Sequence, residues 1–278
     1  MFLSIIIPTC DRNDLLEKCL QCLAPEVQTM NNYEYEVIVT DDSKKNIAKA
    51  FVEEKFSWVM WVEGPKRGPA ANRNNGAKHA RGEWLVFVDD DVVPDIKLLV
   101  NYRQAILDAP EVSAFEGAIL PDDWNKLRED MAECPVNIEG GCFWSANICI
   151  EKNLFKQVNG FDERYLIAAH EDQHIYRQIK EFTLVPFLKK AFVTHPVRLM
   201  SLRKKIRNLN VAFKNHFLYK ENDNLNFYDL FLGEYKFHFR CLINCLKCFK
   251  IKSSIYHSYI FFFTLPLTMV QYSFKSRS

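Results

Sequence analysis

Residues 84–94 read WLVFVDDDVVP, and this stretch decides the fold. The apolar run at its start has the composition of a strand that is buried on both faces, as the strands of a parallel sheet are. The run then meets three consecutive aspartates, Asp89, Asp90 and Asp91. A strand that is buried along its length and ends in charge is typical of a sheet whose carboxyl edge carries a binding site.

The chain around this stretch alternates buried strands with amphipathic helices. Apolar periodicity predicts strands at 2–8, 35–42, 58–64 and 83–91, and helices at 11–23, 44–55 and 69–81. An alternation with such short links predicts an α/β layered sandwich with a mainly parallel central sheet. Three of the strands end in polar clusters, which should meet at the carboxyl edge of the sheet: 8–12, 40–43 and 89–91.

The three aspartates need compensation for their charge. Adjacent carboxylates in a half-buried cleft cannot all be ionised unless their pKa values rise or a cation lies nearby. Mg²⁺ or Mn²⁺ is the simplest such cation, because these ions prefer oxygen ligands and keep open positions for substrate phosphates. The alternative is a solvated turn that caps a helix beginning near Pro94 or Asp95. A second acidic pair behind a buried strand, Asp41 and Asp42, favours the metal site.

Length and charge divide the chain into two parts. Its 278 residues, 48% of them hydrophobic, suffice for one substantial domain with an appendage. The last 81 residues hold 14 Lys/Arg against 4 Asp/Glu, a net charge of +10 that leaves −9 for residues 1–197. The nine cysteines lack the paired spacing of a zinc site, and their odd number argues against a disulfide framework. The N-terminus MFLSIIIPTC indicates a strand and not a signal peptide, so we expect a cytoplasmic protein.

The order and spacing of seven motifs resembles that of the family 2 glycosyltransferases of the GT-A fold: SIIIPTCDR, VIVTDDS, GPAANRNNGAKHARGEW, VFVDDDVVP, GGCFWSANICI, NGFDE and HED. The resemblance covers residues 1–196 and implies a three-layer α/β sandwich of the bacterial surface-polysaccharide type. It implies that a nucleotide-diphosphate sugar binds to residues 1–111 and an acceptor to residues 112–197. It also implies a DXD motif whose metal, Mn²⁺ or Mg²⁺, bridges the phosphates of the donor.

The resemblance assigns a nucleotide-binding role to eight residues: Pro8, Thr9, Arg12, Asp42, Lys66, Arg73, Asp89 and Asp90. Among them Asp42 would accept a hydrogen bond from the base, for which uridine is the implied identity. Asp91 would bind the metal together with His195, although a lone histidine after an apolar run is also a common structural residue. This charge distribution agrees with the chemistry, because a departing nucleoside diphosphate needs its negative charge neutralised.

The HED segment supplies the implied catalytic carboxylates. An acceptor hydroxyl that attacks an anomeric carbon needs a general base, and the resemblance gives that role to Asp172, with Glu171 beside it. A single displacement by this route would invert the anomeric centre. The alternative is an ordinary helix N-terminus in which acids are favoured by the helix dipole. Four further residues are implied to face the sugar and acceptor, namely Gly140, Gly141, Trp144 and His170.

The C-terminal segment 198–278 is basic, aromatic and helical in period. Seven cations surround an apolar stripe: Arg198, Arg203, Lys204, Lys205, Arg207, Lys214 and Lys220. This pattern predicts either an interfacial membrane helix or a helix packed on the protein with a solvated outer face. Residues 253–274 carry no charge and are long enough to cross a bilayer, but Pro266 and several polar side chains argue against a transmembrane helix. We expect a membrane surface and a lipid-linked or glycan acceptor as partners, and no nucleic acid, because no recognisable module is present.

Two other enzyme classes share features of this pattern. A sugar-nucleotide pyrophosphorylase would need a glycine-rich basic loop after the first strand, and an oxidoreductase would need GxGxxG there, whereas IIIPTCDR has no glycine. A catalytically inactive nucleotide-sugar or membrane-binding protein remains the non-enzymatic alternative. The presence of Asp42, Asp91 and Asp172 argues against it without proving turnover.

Overall fold

The protein is described by a computed structural model over residues 1–31, 34–206, 215, 218–219, 227–248 and 250–265. These residues fall into two compact units. The first unit comprises Met1–Asp122 and Pro135–Pro196, and the second comprises Asp123–Cys134 and the described part of Val197–Ser278. The sequence placed 123–134 within the domain 1–197, whereas here this segment groups with the C-terminal part of the chain. The functional domain limits stay a prediction.

The first half of the first unit follows the predicted alternation closely. Its elements are β1 (Leu3–Thr9), α1 (Asn13–Leu23), β2 (Tyr35–Asp41), α2 (Ile47–Lys55), β3 (Val59–Glu63), α3 (Pro69–His79) and β4 (Trp84–Val88). The predicted strands and helices are therefore confirmed to within a few residues at each end. Strand β4 stops at Val88, so the three aspartates lie in the turn beyond it. Helix α3 begins at the predicted residue, Pro69. Proline is tolerated at the first position of a helix because the N–H that it lacks would have no partner within the helix.

The second half of this unit is less regular, as its sequence indicated. It contains β5 (Val93–Pro94), α4 (Leu98–Asp108), β6 (Ala114–Pro121), β8 (Asn147–Glu151), α5 (Lys152–Gln157), α6 (Glu171–Ile179) and β9 (Phe187–His195). The helix expected near Pro94 or Asp95 begins only at Leu98, because residues 93–94 pair with β9. Long connections on either side of β8 and α5 leave room for loops at the carboxyl edge.

One eight-stranded sheet organises the first unit, in the order β3-β2-β1-β4-β8-β6-β9-β5. Strands β1 to β4 are parallel where they pair, and β6 is parallel to β9. Strand β8 runs antiparallel to both β4 and β6, and β5 runs antiparallel to β9. The α/β fold class is confirmed, with four of the seven neighbouring pairs parallel.

Both faces of the sheet are covered, which makes three layers. Ile5 and Ile7 of β1 join a core cluster with residues of α1, α2 and α4. Ile6 points to the opposite face, where α3 approaches so closely that a Cβ on Gly76 would lie 2.5 Å from the Ile6 side chain. Phe87 of β4 also lies on that face and packs against Phe155 of α5, with the ring centroids 5.3 Å apart. Burial of both faces explains the unbroken apolar runs of these strands.

The second unit is assembled from two separate stretches of chain. Strand β7 (Ala132–Glu133) pairs antiparallel with β10 (Arg198–Leu199), and the long helix α7 (Phe227–Lys247) is followed by α8 (Ile251–Tyr259) and a π-helical turn at Ile260–Thr264. Asp130 caps α8 by accepting N–H groups of Lys252 (2.7 Å) and Ser253 (3.1 Å). The predicted C-terminal helical extension is confirmed in these helices.

Part of the predicted extension lies outside the described residues. This applies to Arg207, Lys214 and Lys220 of the basic stripe and to residues 266–274 of the uncharged stretch. Among the helices that the structure describes, none is both long enough and apolar enough to cross a membrane.

Candidate active site

Two arginines neutralise the turn after β4: Arg12, which follows β1, pairs with Asp90 and Asp91, and Arg73 of α3 pairs with Asp89. The Arg12 guanidinium lies 2.7 Å from Asp90 Oδ1 and 3.2 Å from Asp91 Oδ2, and the Thr9 hydroxyl donates to Asp90 Oδ2 at 2.7 Å. Burial raises the pKa of Asp90 to about 7, and the Asp91 carboxylate beside it adds to this, against the opposing effect of Arg12. The sequence expected the clusters after β1 and β4 to meet, and they do. Pro8 lies in the same strand end, paired in register with Thr40.

Asp91 and His195 are the candidate metal ligands, and both are buried. His195 Nδ1 lies 3.0 Å from the Pro196 carbonyl oxygen, which can only accept, so this nitrogen carries a proton. The other ring nitrogen, Nε2, lies 3.5 Å from Asp91 Oδ1. A carboxylate oxygen and an imidazole nitrogen this close together are ligand types that a divalent cation can share.

These two residues fit an ion that takes its remaining ligands from elsewhere. Within the described residues there is no cluster of three or more His, Cys, Asp or Glu that could hold a metal. Mg²⁺ and Mn²⁺ sites often use one or two protein ligands and complete the shell with substrate phosphates and water. The donor set of one carboxylate and one imidazole therefore fits the divalent ion that the fold family implies. The carboxylate of Asp89 pairs with Arg73, and that of Asp90 pairs with Arg12 and Thr9.

Arg73 links the aspartate turn to the HED segment. Its guanidinium, on α3, donates to Asp89 Oδ1 at 2.7 Å and to Glu171 Oε1 at 3.1 Å, and its side chain is almost completely buried. Burial raises the pKa of Asp89, but the Arg73 charge and hydrogen bond outweigh it, so the net pKa is lowered. Glu171 also accepts the Ala169 N–H at 2.7 Å, yet burial still leaves its pKa raised. Arg73 is thus bound to protein carboxylates on both sides.

A cavity of about 420 Å³ lies next to this ion-paired cluster. Six of the residues singled out from the sequence contribute to its wall: Arg73, Asp89, Trp144, His170, Glu171 and Asp172. Burial raises the pKa of Asp172 to about 7, and the neighbouring Glu171 carboxylate raises it further, against the N–H groups of Gln173 and Ser145 that bind the ionised form. Asp172 is therefore a carboxylate that exchanges protons near neutrality, which is the property of a general base.

Helix α6 begins at the HED segment, with His170 in a left-handed conformation (φ +70°) just before it. Glu171 and Asp172 occupy its first turn, where the helix dipole favours acids. The helix-terminus interpretation and the catalytic interpretation are thus compatible, because the same turn also faces the cavity.

The acidic pair after β2 separates into two roles. Asp41 accepts N–H groups of Ser43 (2.9 Å) and Ala48 (3.1 Å) and so holds the start of α2. Asp42 accepts the backbone N–H groups of Lys66 (2.7 Å) and Gly68 (3.0 Å), and burial raises its pKa. The Lys66 ammonium pairs with Glu63 at 2.7 Å on the exposed surface. Neither Asp42 nor Lys66 is among the residues that line the cavity.

The glycine pair shapes a loop that leads into the cavity. Gly140 and Gly141 both have φ of +86°, a conformation that other residues rarely adopt. A Cβ on Gly140 would lie 2.7 Å from Phe187, whereas one on Gly141 would meet nothing within 4 Å. Neither glycine lines the cavity, but Trp144 and Ser145, which follow directly, do.

Sequence reasoning missed residues that hold this loop. Gln173, on the cavity wall, donates through Nε2 to the Cys142 carbonyl. Glu116, a buried acid within the apolar strand AFEGAILP, accepts hydrogen bonds from the same loop. The signal available in the sequence was the charge itself, because an isolated acid in a buried strand requires partners.

Comparisons with known proteins agree with the α/β fold described above. The family model for Glycosyl transferase family 2 matches residues 4–162. A Campylobacter jejuni GalNAc(5)-diNAcBac-PP-undecaprenol beta-1,3-glucosyltransferase is 34% identical over 95 residues, which is 32% of this chain and 29% of that protein. The chain thus spans less than a third of the length of this relative.

Two solved structures share the fold at low sequence identity. Staphylococcus aureus TarS 1–349 in complex with UDP superposes with a TM-score of 0.59 at 16% identity, over 93% of this chain and 91% of that one. The Pyrobaculum calidifontis mannosyltransferase PcManGT in complex with GDP-Man and Mn²⁺ gives 0.56 at 17% identity, over 94% and 87%. The expected GT-A fold is therefore confirmed. Since the family model spans more than half of the chain, the protein belongs to glycosyl transferase family 2.

Proposed function

We propose that this chain transfers a sugar from a nucleotide-diphosphate donor to a hydroxyl group of a glycan or lipid-linked acceptor. The observation that carries the proposal is the cavity whose wall joins Asp172 to the Arg73–Asp89 ion pair. This cavity includes the turn that follows β4, and ligands of α/β sheets collect at such strand ends. Family membership and the name of the Campylobacter relative, a glucosyltransferase, support the same reaction class.

Asp172 is the proposed general base. With a pKa of about 7, roughly half of its carboxyl groups are ionised at neutral pH, and the ionised form accepts the proton of the acceptor hydroxyl. The acceptor oxygen forms a bond to the anomeric carbon while the bond from that carbon to the diphosphate oxygen breaks. Attack from the face opposite the leaving group inverts the anomeric centre. Glu171 supports the base by tying the first turn of α6 to Arg73.

The proposed metal, Mn²⁺ or Mg²⁺, would be held by Asp91 and His195. Such an ion neutralises the charge that develops on a departing diphosphate. The mannosyltransferase structure with Mn²⁺ and the closeness of the Asp91 and His195 side chains support this proposal. Arg12 is the cation of this cluster that solvent reaches, with 40% of its side chain exposed, and it would bind the diphosphate.

The proposed donor nucleotide is UDP. The TarS complex with UDP and the family resemblance support uridine, while the GDP-mannose complex of the other structural relative makes guanosine the natural comparator. Asp42 would accept the N–H of the base. Its two oxygens already hold a backbone loop through the N–H groups of Lys66 and Gly68, and an ionised carboxylate can accept more than two hydrogen bonds.

We further propose that the protein is cytoplasmic and that its second unit binds the inner face of the cell membrane, which would make it a peripheral membrane protein. Apolar side chains are exposed on α7, on α8 and on the π-helical turn that follows α8, notably Leu246 (55%), Ile251 (70%) and Phe262 (63%). Lys247 and Lys252, both exposed, lie next to them in the chain. An apolar face flanked by cations is what an interfacial helix requires. Full-length protein that fails to sediment with anionic vesicles at low salt would contradict this proposal.

The donor proposal is tested by calorimetric titration of UDP, GDP and dTDP, each with and without Mn²⁺. We expect UDP to bind the wild-type protein in a Mn²⁺-dependent manner and to lose that dependence in Asp91→Ala. Asp123→Ala, which removes an exposed carboxylate of the second unit, is the matched control and should bind as wild type does. Binding that needs neither the metal nor Asp91 would overturn the metal assignment. Tight binding without transfer to any acceptor would favour an inactive binding protein.

A further inference from the structure

The loop at residues 137–143, called here the clamp loop, is wound around one buried carboxylate. Glu116 lies in β6 and is 1% exposed. Its Oε1 accepts a hydrogen bond from Asn137 Nδ2 at 2.7 Å and another from the Phe143 N–H, and its Oε2 accepts the Gly141 N–H at 2.7 Å. Asn137 Oδ1 in turn accepts the Gly140 N–H at 2.9 Å. The positive φ angles of the two glycines turn these N–H groups inward.

The clamp loop is bound to helix α6 by side chains and backbone. The Phe143 ring stacks on Tyr176, with centroids 4.8 Å apart and planes 14° apart. The Cys142 carbonyl accepts a hydrogen bond from Gln173 Nε2. The Asp172 carboxylate accepts the backbone N–H of Gln173 at 2.8 Å, and the N–H of Ser145, two residues beyond the clamp loop, lowers its pKa. The first turns of α6 are therefore attached to the same loop that Glu116 organises.

Glu116 has no access to substrate. It is buried and is not among the residues that line the cavity. Burial of a carboxylate inside an apolar strand is costly unless hydrogen bonds compensate it, and the Glu116 carboxylate receives its hydrogen bonds from the clamp loop. An apolar residue at this position of the strand would pack at lower cost, but it would leave the inward N–H groups without an acceptor.

We propose that Glu116 is a positioning residue for Asp172, acting through the clamp loop and the first turns of α6. The proposal rests on the proposed function only for the role of Asp172 as the base. The contacts run from Glu116 to Phe143 and Gly141, and from the clamp loop to Gln173 and Tyr176. Gln173 in turn donates its backbone N–H to the Asp172 carboxylate.

A shift in pH dependence follows from this arrangement. The charged and titratable groups around Asp172 are Glu171 and His170 beside it in the chain, Arg73 on α3, Asp89 after β4 and the Cys142 thiol of the clamp loop. The Ser145 N–H lowers the pKa of Asp172 against the effect of burial. When the clamp loop loosens, this N–H moves away from the carboxylate and the pKa of Asp172 rises above its present value.

Hydrogen exchange tests the clamp loop without any need for turnover. The full chain is compared as wild type, Glu116→Gln and Glu36→Gln, in peptides that cover residues 137–145 and 171–179. Glu36 is the matched control, since it is a second buried carboxylate with three hydrogen bonds, to Ser4 and Arg81, at the opposite edge of the sheet. We expect exchange at least tenfold faster in both peptides of Glu116→Gln only. Unchanged exchange, or equal acceleration by both variants, would overturn the proposal.

Steady-state kinetics then tests the link to the base. We expect the kcat of Glu116→Gln to fall on the order of tenfold to a hundredfold, as misplacement of a base by about 1 Å does, with the donor KM within twofold of wild type. The ascending limb of its pH profile should move to higher pH. A raised KM with an unchanged kcat would overturn the positioning role. A wild type without transferase activity would overturn the base assignment, while hydrogen exchange would still decide whether Glu116 holds the clamp loop.

A second variant covers the case in which Glu116→Gln fails to fold. Gly141→Ala leaves the carboxylate in place and adds a methyl group that meets nothing within 4 Å, so only the φ of +86° is strained. We expect it to accelerate exchange in the same two peptides. Exchange identical to that of wild type would contradict the proposed path from the clamp loop to α6.

Discussion

Replacement of Asp172 by asparagine should have opposite effects on activity and on stability. The carboxyl has a pKa of about 7 in the folded protein, against roughly 3.9 in an unfolded chain. The folded state therefore binds more protons than the unfolded state between these values, and the contribution of Asp172 to stability falls as pH rises from 4 to 7. Asparagine removes this cost because it cannot ionise.

The size of the effect follows from the same shift. A difference of about three pKa units corresponds to about 4 kcal/mol, and solvent at the cavity wall reduces it to on the order of 1–3 kcal/mol. Asp172→Asn should therefore unfold at higher urea concentration than wild type at pH 8, and at nearly the same concentration at pH 4.5. Transfer activity should fall by at least 10²-fold, since general-base catalysis contributes about that much. In the wild type, kcat should drop about fivefold from pH 7 to pH 6, following the ionised fraction.

A matched carboxylate supplies the control for this experiment. Burial raises the pKa of Asp162, but the Arg164 hydrogen bonds outweigh it, so its net pKa is lowered in the folded protein. Its contribution to stability is present above the unfolded pKa and is lost as the pH falls through the folded value. Asp162→Asn should therefore destabilise the protein at pH 8. Urea midpoints that shift in the same direction for both variants at pH 8 would refute the assignment of a raised pKa to Asp172.

Three further substitutions follow from the geometry. Arg73→Met should destabilise the protein by about 3–5 kcal/mol at pH 8, because it leaves Glu171 buried beside Asp89 without a cation. Burial raises the pKa of Glu171, so the deficit should shrink as the pH is lowered, and a pH-independent deficit in urea unfolding would contradict this. Gly117→Ala should lower the midpoint strongly, because the new Cβ would lie 2.2 Å from Asn147 Nδ2 and 2.5 Å from the Tyr102 hydroxyl. Gly233→Ala, in the middle of α7 with nothing within 4 Å, should instead stabilise by about 1 kcal/mol, and a lower melting temperature would argue against the helix there.

The strands of the sheet and the position of its carboxyl edge could be predicted from the sequence. Strands β1, β2 and β4 are buried on both faces, so each is marked by an unbroken apolar run that ends abruptly in polar residues. Local periodicity carries that information completely. The convergence of Thr9, Arg12 and the aspartate turn follows from parallel topology alone.

The partner of each charged side chain could not be predicted from local periodicity. Arg73 pairs with Glu171, which lies 98 residues further along the chain. No local sequence pattern distinguishes an arginine that pairs with a protein carboxylate from one that binds a substrate phosphate. The acid in AFEGAILP interrupts an apolar strand, yet its acceptor role depends on a loop that returns about 20 residues later. The antiparallel insertion of β8 between β4 and β6 likewise depends on long-range pairing. These features arise from tertiary contacts, which periodicity does not encode.

The cap on α8 has a consequence for how the chain folds during synthesis. Asp130 and the helix start that it caps are 122 to 123 residues apart, so the segment 123–134 leaves the ribosome long before its partners exist. Strands β1 to β4 pair over shorter separations and can assemble during that interval. Strand β7 can pair with β10 once residues 198–199 have been made, but the Asp130 carboxylate receives its two N–H donors only after Lys252 and Ser253 follow. The contact that fixes the start of α8 therefore forms after the strands of the sheet have had time to assemble.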